Sequence, residues 1–181
     1  GTAGIGIADM IQGALSAAGR EPGQFYAFNH NGLIIEDSSG TREFQKPYAR
    51  PRSEIDGWDV ADPHRVNLLE TVRNAQPTIL IGASARAGAF SEEVVREMHS
   101  YCERPVIMPL SNPTDRCEAR PSDLLDWTDG KALIATGSPF EPVRRGSVHH
   151  TIAQANNALI FPGLGLGVSV VRARLVSEEM I

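Results

Sequence analysis

Three short apolar runs limit the fold more than any other feature. They are Pro77-Thr78-Ile79-Leu80-Ile81-Gly82, Pro105-Val106-Ile107-Met108-Pro109-Leu110 and Ala132-Leu133-Ile134-Ala135-Thr136. Runs of this length, bounded by glycine and proline, read as buried strands. Helical patterns separate them. Ser91 opens one helix, with Glu92 and Glu93 in its first turn, and Pro121 to Thr128 gives a short helix closed by Gly130. Acids at that point complement the helix dipole; paired carboxylates also do acid–base work. Strands alternating with helices imply an α/β fold whose sheet is parallel, with right-handed crossovers. Each strand runs into a loop of small or polar residues: Ala83 to Ala89, Ser111-Asn112-Pro113-Thr114, and Gly137-Ser138-Pro139-Phe140. In such sheets the loops beyond the carboxyl ends build the binding site.

The N-terminal stretch Gly1-Thr2-Ala3-Gly4-Ile5-Gly6-Ile7-Ala8 reads as a glycine-rich turn entering a helix. Unpaired N–H groups and the helix dipole favour an anion there. Ile7, Met10, Ile11, Ala14, Leu15 and Ala18 recur at helical spacing, and Gly19 is the expected stop. Gly1 and Gly4 fit the second and third glycines of a dinucleotide fingerprint, whose first glycine and preceding strand would lie before residue 1. A tight turn before an ordinary core helix fits as well. Gln24 to Phe28 reads as a buried strand, with Asn29 at its end, where a Rossmann second strand usually carries an acid for the ribose hydroxyls. Asn29 also suits a turn before Gly32. Leu33 to Pro63 is polar and proline-rich, which argues against a long regular element; Trp58 is expected to anchor it. Pro63 to Asn74 reads as a helix with Val66, Leu69 and Val72 inward.

Towards the C-terminus, Gln154-Ala155-Asn156-Asn157 sets adjacent amides before an apolar run, which calls for hydrogen-bond partners or a cap. Phe161-Pro162-Gly163 is expected to break the chain, Gly165 and Gly167 to lie in a closely packed segment, and Ser177-Glu178-Glu179 to start a new helix. His149-His150 lacks metal-ligand spacing. The formal net charge is -5 over 181 residues, and Lys46 and Lys131 are the two lysines. That balance argues against nucleic acid. Ala158 to Val171 is too short and glycine-rich to span a bilayer. Cys102 and Cys117 suggest reduced thiols rather than a disulfide framework.

Several of these tracts together resemble the nucleotide-binding domain of malic enzymes. They are Gly1 to Ala8, Phe90 to Met98, Ser111 to Thr114, Gly137 to Phe140, and Gln154 to Gly163. The resemblance runs from residue 1 to residue 181 and looks closest to bacterial NAD-type malic enzymes; malolactic enzymes share nearly all of it. It implies a Rossmann-like, doubly wound, mostly parallel sheet lacking its first strand. The implied activity is oxidation of malate with hydride transfer to NAD and loss of carbon dioxide to give pyruvate, with Mg or Mn in the full-length enzyme. By this resemblance Gly1, Thr2, Ala3 and Gly4 match the pyrophosphate turn, and Asn29 the ribose-contacting acid. Asn112 matches a residue near nicotinamide and malate, and Asn156 and Asn157 match amides that hold a malate carboxylate. Gln45 stands where NADP-selective animal enzymes carry lysine, which favours NAD. Asn29 lacks the charge that repels a 2′-phosphate, and Arg42 and Lys46 lie nearby, so NADP stays open. Ala85-Arg86 replaces a common glycine position, and Arg120 a Thr cap. The catalytic Tyr and Lys and the metal ligands are expected upstream of residue 1, so no catalytic or metal residue is assigned here and the 181 residues alone are expected not to turn over malate. The longer enzyme is expected to be a homo-oligomer in the cytoplasm, or in mitochondria if eukaryotic. A malolactic enzyme and a non-catalytic nucleotide-binding module are the competing readings.

Overall fold

The computed structural model describes residues 1–177 and 180. The helix start expected at Ser177-Glu178-Glu179 therefore falls, at its two glutamates, outside the described residues. The chain opens with α1 (Thr2–Ala17) and a small hairpin, β1 (Phe28–Asn29) and β2 (Gly32–Leu33). A 3-10 helix (Glu43–Tyr48), α2 (Arg52–Ile55) and α3 (Leu68–Ala75) follow. The alternating part comprises β3 (Ile79–Gly82), α4 (Glu92–Tyr101), β4 (Val106–Pro109), α5 (Pro121–Trp127) and β5 (Leu133–Thr136). A second hairpin, β6 (Val143–Arg145) and β7 (Val148–His150), leads to β8 (Ala153–Gln154) and α6 (Phe161–Val171).

The main sheet has the order β3-β4-β5-β8, and every neighbouring pair is parallel. Leu80 pairs with Ile107, Ile107 with Ile134, and Thr136 with Gln154. This is the parallel α/β architecture that the strand–helix alternation implies, consistent with a Rossmann-like domain. Its core joins Val72 of α3, Leu80 of β3, Val94, Val95 and Met98 of α4, Ile107 of β4 and Leu124 of α5. Each such side chain contributes roughly 1.5–3 kcal/mol by leaving water. The strand period of two appears in β3, where Leu80 and Gly82 are buried while Ile79 stays exposed on the other face. Two smaller clusters lie outside the sheet. Leu33, Ile35, Ile55 and Val66 form one, flanked by Trp58, which anchors the proline-rich segment as expected. Ile5, Ala8 and Tyr48 form the other.

Several expectations need correction. In α1 the buried residues are Ile5 and Ala8, one step round from the predicted face, and Met10 is 57% exposed. Tyr48 packs on the first two turns and its hydroxyl reaches Gln12 in the third, while the later apolar positions Ile11 and Leu15 are only part-buried. The predicted stop holds, with Gly19 at positive φ just past the last turn. The strand expected over Gln24 to Phe28 is reduced to Phe28–Asn29, because residues 24–27 find no neighbouring strand among the described residues. The polar reading of Leu33 to Pro63 passed over Leu33, Ile34 and Ile35, all buried. The helix expected from Pro63 begins at Leu68. Asp62 closes a local turn instead, accepting the His64 N–H at 2.9 Å, and Asn67 caps the helix reciprocally with Glu70. Phe161-Pro162-Gly163 does not break the chain but begins α6, with Pro162 in the first turn, where a missing N–H is harmless. The close packing expected around Gly165 and Gly167 is absent, for α6 has no buried residue.

Candidate functional site

The carboxyl ends of β3, β4, β5 and β8 bring four loops together. Gly137, after β5, is the point of closest approach. A Cβ there would lie 2.1 Å from the Leu110 carbonyl oxygen after β4, so only glycine fits. The Gly137 carbonyl accepts the side-chain amides of Asn156 at 2.8 Å and Gln154 at 3.2 Å, which ties the loop after β8 to the loop after β5. Ser138 donates to the Asn112 Oδ1 at 2.5 Å, which ties β5 to β4. Asn156 also caps the following 3-10 turn by accepting the Ala158 N–H at 2.9 Å. Its oxygen and one amide proton therefore serve the protein. The Asn112 amide nitrogen makes a long 3.5 Å bond to the Leu110 carbonyl, and among the described residues the exposed Asn157 side chain has no hydrogen-bond partner, so both can present donors to a ligand. Neutral donors of this kind suit a carboxylate or a carboxamide without a buried charge to offset.

Beneath these loops sits a residue that the sequence reading missed. Glu118 is fully buried, and its carboxylate accepts the Ser84 N–H at 2.8 Å, the Ser84 hydroxyl at 2.7 Å, the Ser111 hydroxyl at 2.5 Å and the Ser111 N–H at 3.3 Å. Burial pushes this carboxyl group up, but the hydrogen bonds from Ser111 and Ser84 outweigh it and hold it below the usual range. The Ser111 hydroxyl in turn accepts the Ala85 N–H at 2.8 Å. Ala85 has φ +54, a left-handed conformation that favours glycine. Arg86 beside it is exposed.

The other predicted site residues lie elsewhere. Gly1, Thr2, Ala3 and Gly4 form the start of α1. The first intrahelical bond runs from the Ile5 N–H to the Gly1 carbonyl, no side chain caps the turn, and among the described residues the N–H groups of Thr2, Ala3 and Gly4 have no hydrogen-bond partner, as an anion site requires. Among the described residues no hydrogen bond joins this turn to the Asn112 cluster. Asn29 accepts the Asn31 N–H at 2.7 Å, the turn contact anticipated before Gly32. Gln45 is buried and accepts the Arg42 N–H at 2.9 Å, while Lys46 pairs with Glu43 at 2.6 Å. Glu92 and Glu93 are bound to Arg96 and Arg73 at the surface. Arg120 begins α5 without a side-chain cap, as its identity implies.

No tyrosine here is placed as an acid. Burial and the neighbouring Glu54 push Tyr26 up to about 12, and burial and Asp9 do the same for Tyr48. Both hydroxyls donate to those carboxylates, at 2.7 Å and 2.6 Å. Tyr101, pushed up by burial, donates to the Pro77 carbonyl at 3.0 Å. Among the described residues no three His, Cys, Asp or Glu side chains are grouped to hold a metal ion. His149 and His150 are consecutive in β7 and so point to opposite faces.

A parallel α/β sheet with an amide-lined mouth defines a nucleotide-binding domain of the Rossmann class. Over residues 1–181 the chain matches, and belongs to, the family described as the malic enzyme NAD-binding domain. It is 49% identical to the NAD-dependent malic enzyme of Pseudomonas aeruginosa (strain LESB58), covering 100% of this chain and 33% of the relative. It is also 49% identical to NAD-dependent malic enzyme 3 of Bacillus subtilis (strain 168), covering 99% and 33%. The NAD-dependent malic enzyme of Proteus mirabilis (strain HI4320) is 45% identical over the same share of its length. The chain thus spans a third of the length of the curated relatives it matches.

Proposed function

We propose that these 181 residues are the dinucleotide-binding part of a longer enzyme that oxidises and decarboxylates malate to pyruvate with NAD. The observation that carries this is the convergence of Asn112, Ser138, Gly137 and Asn156 at the carboxyl ends of adjacent parallel strands. The side-chain amides of Asn112 and Asn157 orient the diacid and the nicotinamide side, while Asn156 fixes the loop that presents Asn157. The uncapped N–H groups at Thr2, Ala3 and Gly4 hold the pyrophosphate, and Asn29 meets the ribose. NAD, when bound, supplies the hydride acceptor. The residues above bind and orient; the described residues offer no metal-ligand set, and none is assigned to this chain. NAD is preferred to NADP because the relatives carry NAD in their names. We place the longer protein in the cytoplasm, since the free thiols Cys102 and Cys117 suit a reducing compartment, and as a homo-oligomer by family resemblance.

The test uses the full-length parent with malate, manganese and NAD. Pyruvate formed with equimolar NADH supports the reading. Lactate without net NADH would show a malolactic enzyme, and NAD binding without turnover a non-catalytic module. The 181-residue chain alone should give no turnover.

A further inference from the structure

We propose that Glu118 is a positioning residue that locks the loops after β3 and β4 into the shape that receives the dinucleotide. Its carboxylate touches both loops through four donors: the N–H and hydroxyl of Ser84, and the N–H and hydroxyl of Ser111. Among the described residues no Lys, Arg or His is hydrogen-bonded to it, so bonds to neutral donors offset the cost of burying the charge. The side chain also lies tight against the sheet. A Cβ on Gly82 would lie 2.6 Å from its Cδ and 2.8 Å from the Phe90 ring, so the carboxylate is wedged against strand β3. Its own backbone carbonyl accepts the Phe90 N–H at 3.1 Å, which anchors the segment that carries it to the start of α4. Two consequences reach the site. The Ser111 hydroxyl, oriented by donating to Glu118, offers its lone pair to the Ala85 N–H and so holds the left-handed turn at Ala85. Asn112 follows Ser111 directly, so the bond to Ser138 that closes the mouth starts from a residue whose neighbour Glu118 fixes.

This inference rests on the reading of the strand-end loops as a cofactor site, and its test separates the two. In the full-length parent, Glu118→Gln keeps the size but turns an NH2 group towards at least one donor. Ser111→Ala, a milder change, removes one of the four donors and the Ala85 acceptor. Amide exchange by mass spectrometry should speed up about tenfold or more over residues 83–89 and 111–117 in both variants. The KM for NAD should rise about tenfold while kcat changes much less, and the double variant should lose no more than the worse single one. Unchanged exchange in both variants overturns the proposal. Faster exchange with an unaltered KM for NAD also overturns it, for the lock would then not serve the cofactor. A wild-type parent that neither binds NAD nor oxidises malate sinks the functional reading, and with it this role; a wild type that does both beside unaffected variants sinks Glu118 alone.

Discussion

The mouth of the sheet and helix α6 are neighbours in the chain, yet their side chains stand in opposite relations to water. Beneath the mouth, whose rim residues Asn112 and Asn157 are exposed, four polar residues are shielded: Glu118, Ser111, Ser138 and Thr136 are all buried, and each is hydrogen-bonded to protein. A few residues later α6 carries Phe161, Leu166, Val170 and Val171, all apolar and all exposed, with Val170 at 71%. Composition alone assigns the two regions the reverse fates. The difference teaches that the carboxyl edge of a parallel sheet supplies backbone and side-chain donors closely enough to bury a charge, whereas an apolar helix buries nothing until a matching surface meets it. Helix α6 also holds three glycines at Gly163, Gly165 and Gly167, each costing about 1 kcal/mol relative to alanine in a helix interior. The mouth is therefore rigid and α6 weakly held, and substitutions in the two should behave differently.

The largest effect is expected at Gly137. Alanine there meets the Leu110 carbonyl carbon and oxygen, which are backbone and cannot rotate away. The β4 and β5 loops must separate, breaking the Ser138–Asn112 and Asn156–Gly137 bonds. Gly137→Ala should lower stability on the order of 3 kcal/mol in urea unfolding. A loss below about 0.5 kcal/mol, the range of an ordinary surface site, would show that the mouth yields and would break the comparison.

A smaller effect lies in the acid limb of the stability curve. Glu118 is lower in the folded chain than its ordinary value of 4.5, with burial opposing and the Ser111 and Ser84 hydrogen bonds prevailing. A carboxyl group lowered on folding adds stability that is fully present above the unfolded value and is lost as pH falls through the folded one. Wild-type stability should therefore fall more steeply than that of Glu118→Gln as pH drops through and below the ordinary carboxyl value, where the unfolded chain binds the proton first. The neighbouring Cys117 thiol, pushed up by burial, stays neutral throughout that window. Parallel slopes for the two proteins would mean that water reaches the carboxylate.

Much of the sheet was legible because its signals are local. Three of its four strands carry apolar runs, and each ends where a small or polar loop begins. The fourth, β8, is two residues long and wholly exposed, so Ala153 and Gln154 show no strand pattern; their pairing with Ala135 and Thr136 is made by the fold. Asn156 was legible as an amide needing a partner or a cap, and it both caps Ala158 and bonds Gly137; Asn112 was pointed to by the family resemblance alone, and it lies at the same mouth through Ser138. Glu118 was not, because a lone glutamate after a cysteine in a loop reads as solvated; what buries it comes from Ser84, 34 residues away, and from the gap that Gly82 leaves. The Asn67–Glu70 cap was readable from its spacing and was missed. The burial expected around Gly165 and Gly167 failed for a physical reason: apolar character states a preference for cover, and the described residues supply none.

The smallest change in stability is expected in α6, and it sharpens the comparison most. Leu166 is 67% exposed and Val170 71%, so neither loses a buried contact on replacement. Glutamine has a helix propensity close to that of leucine and better than that of valine. Leu166→Gln and Val170→Gln should therefore each shift the stability of the 181-residue chain by no more than about 0.5 kcal/mol. The same substitutions remove two of the larger members of an exposed apolar patch, which binds hydrophobic dyes and drives self-association. Dye fluorescence and light scattering should therefore fall while the urea midpoint stays in place. A stability loss of about 2 kcal/mol or more, the signature of a core position, would mean that α6 folds back onto the domain in solution. The contrast between a satisfied polar mouth and an uncovered apolar helix would then be lost.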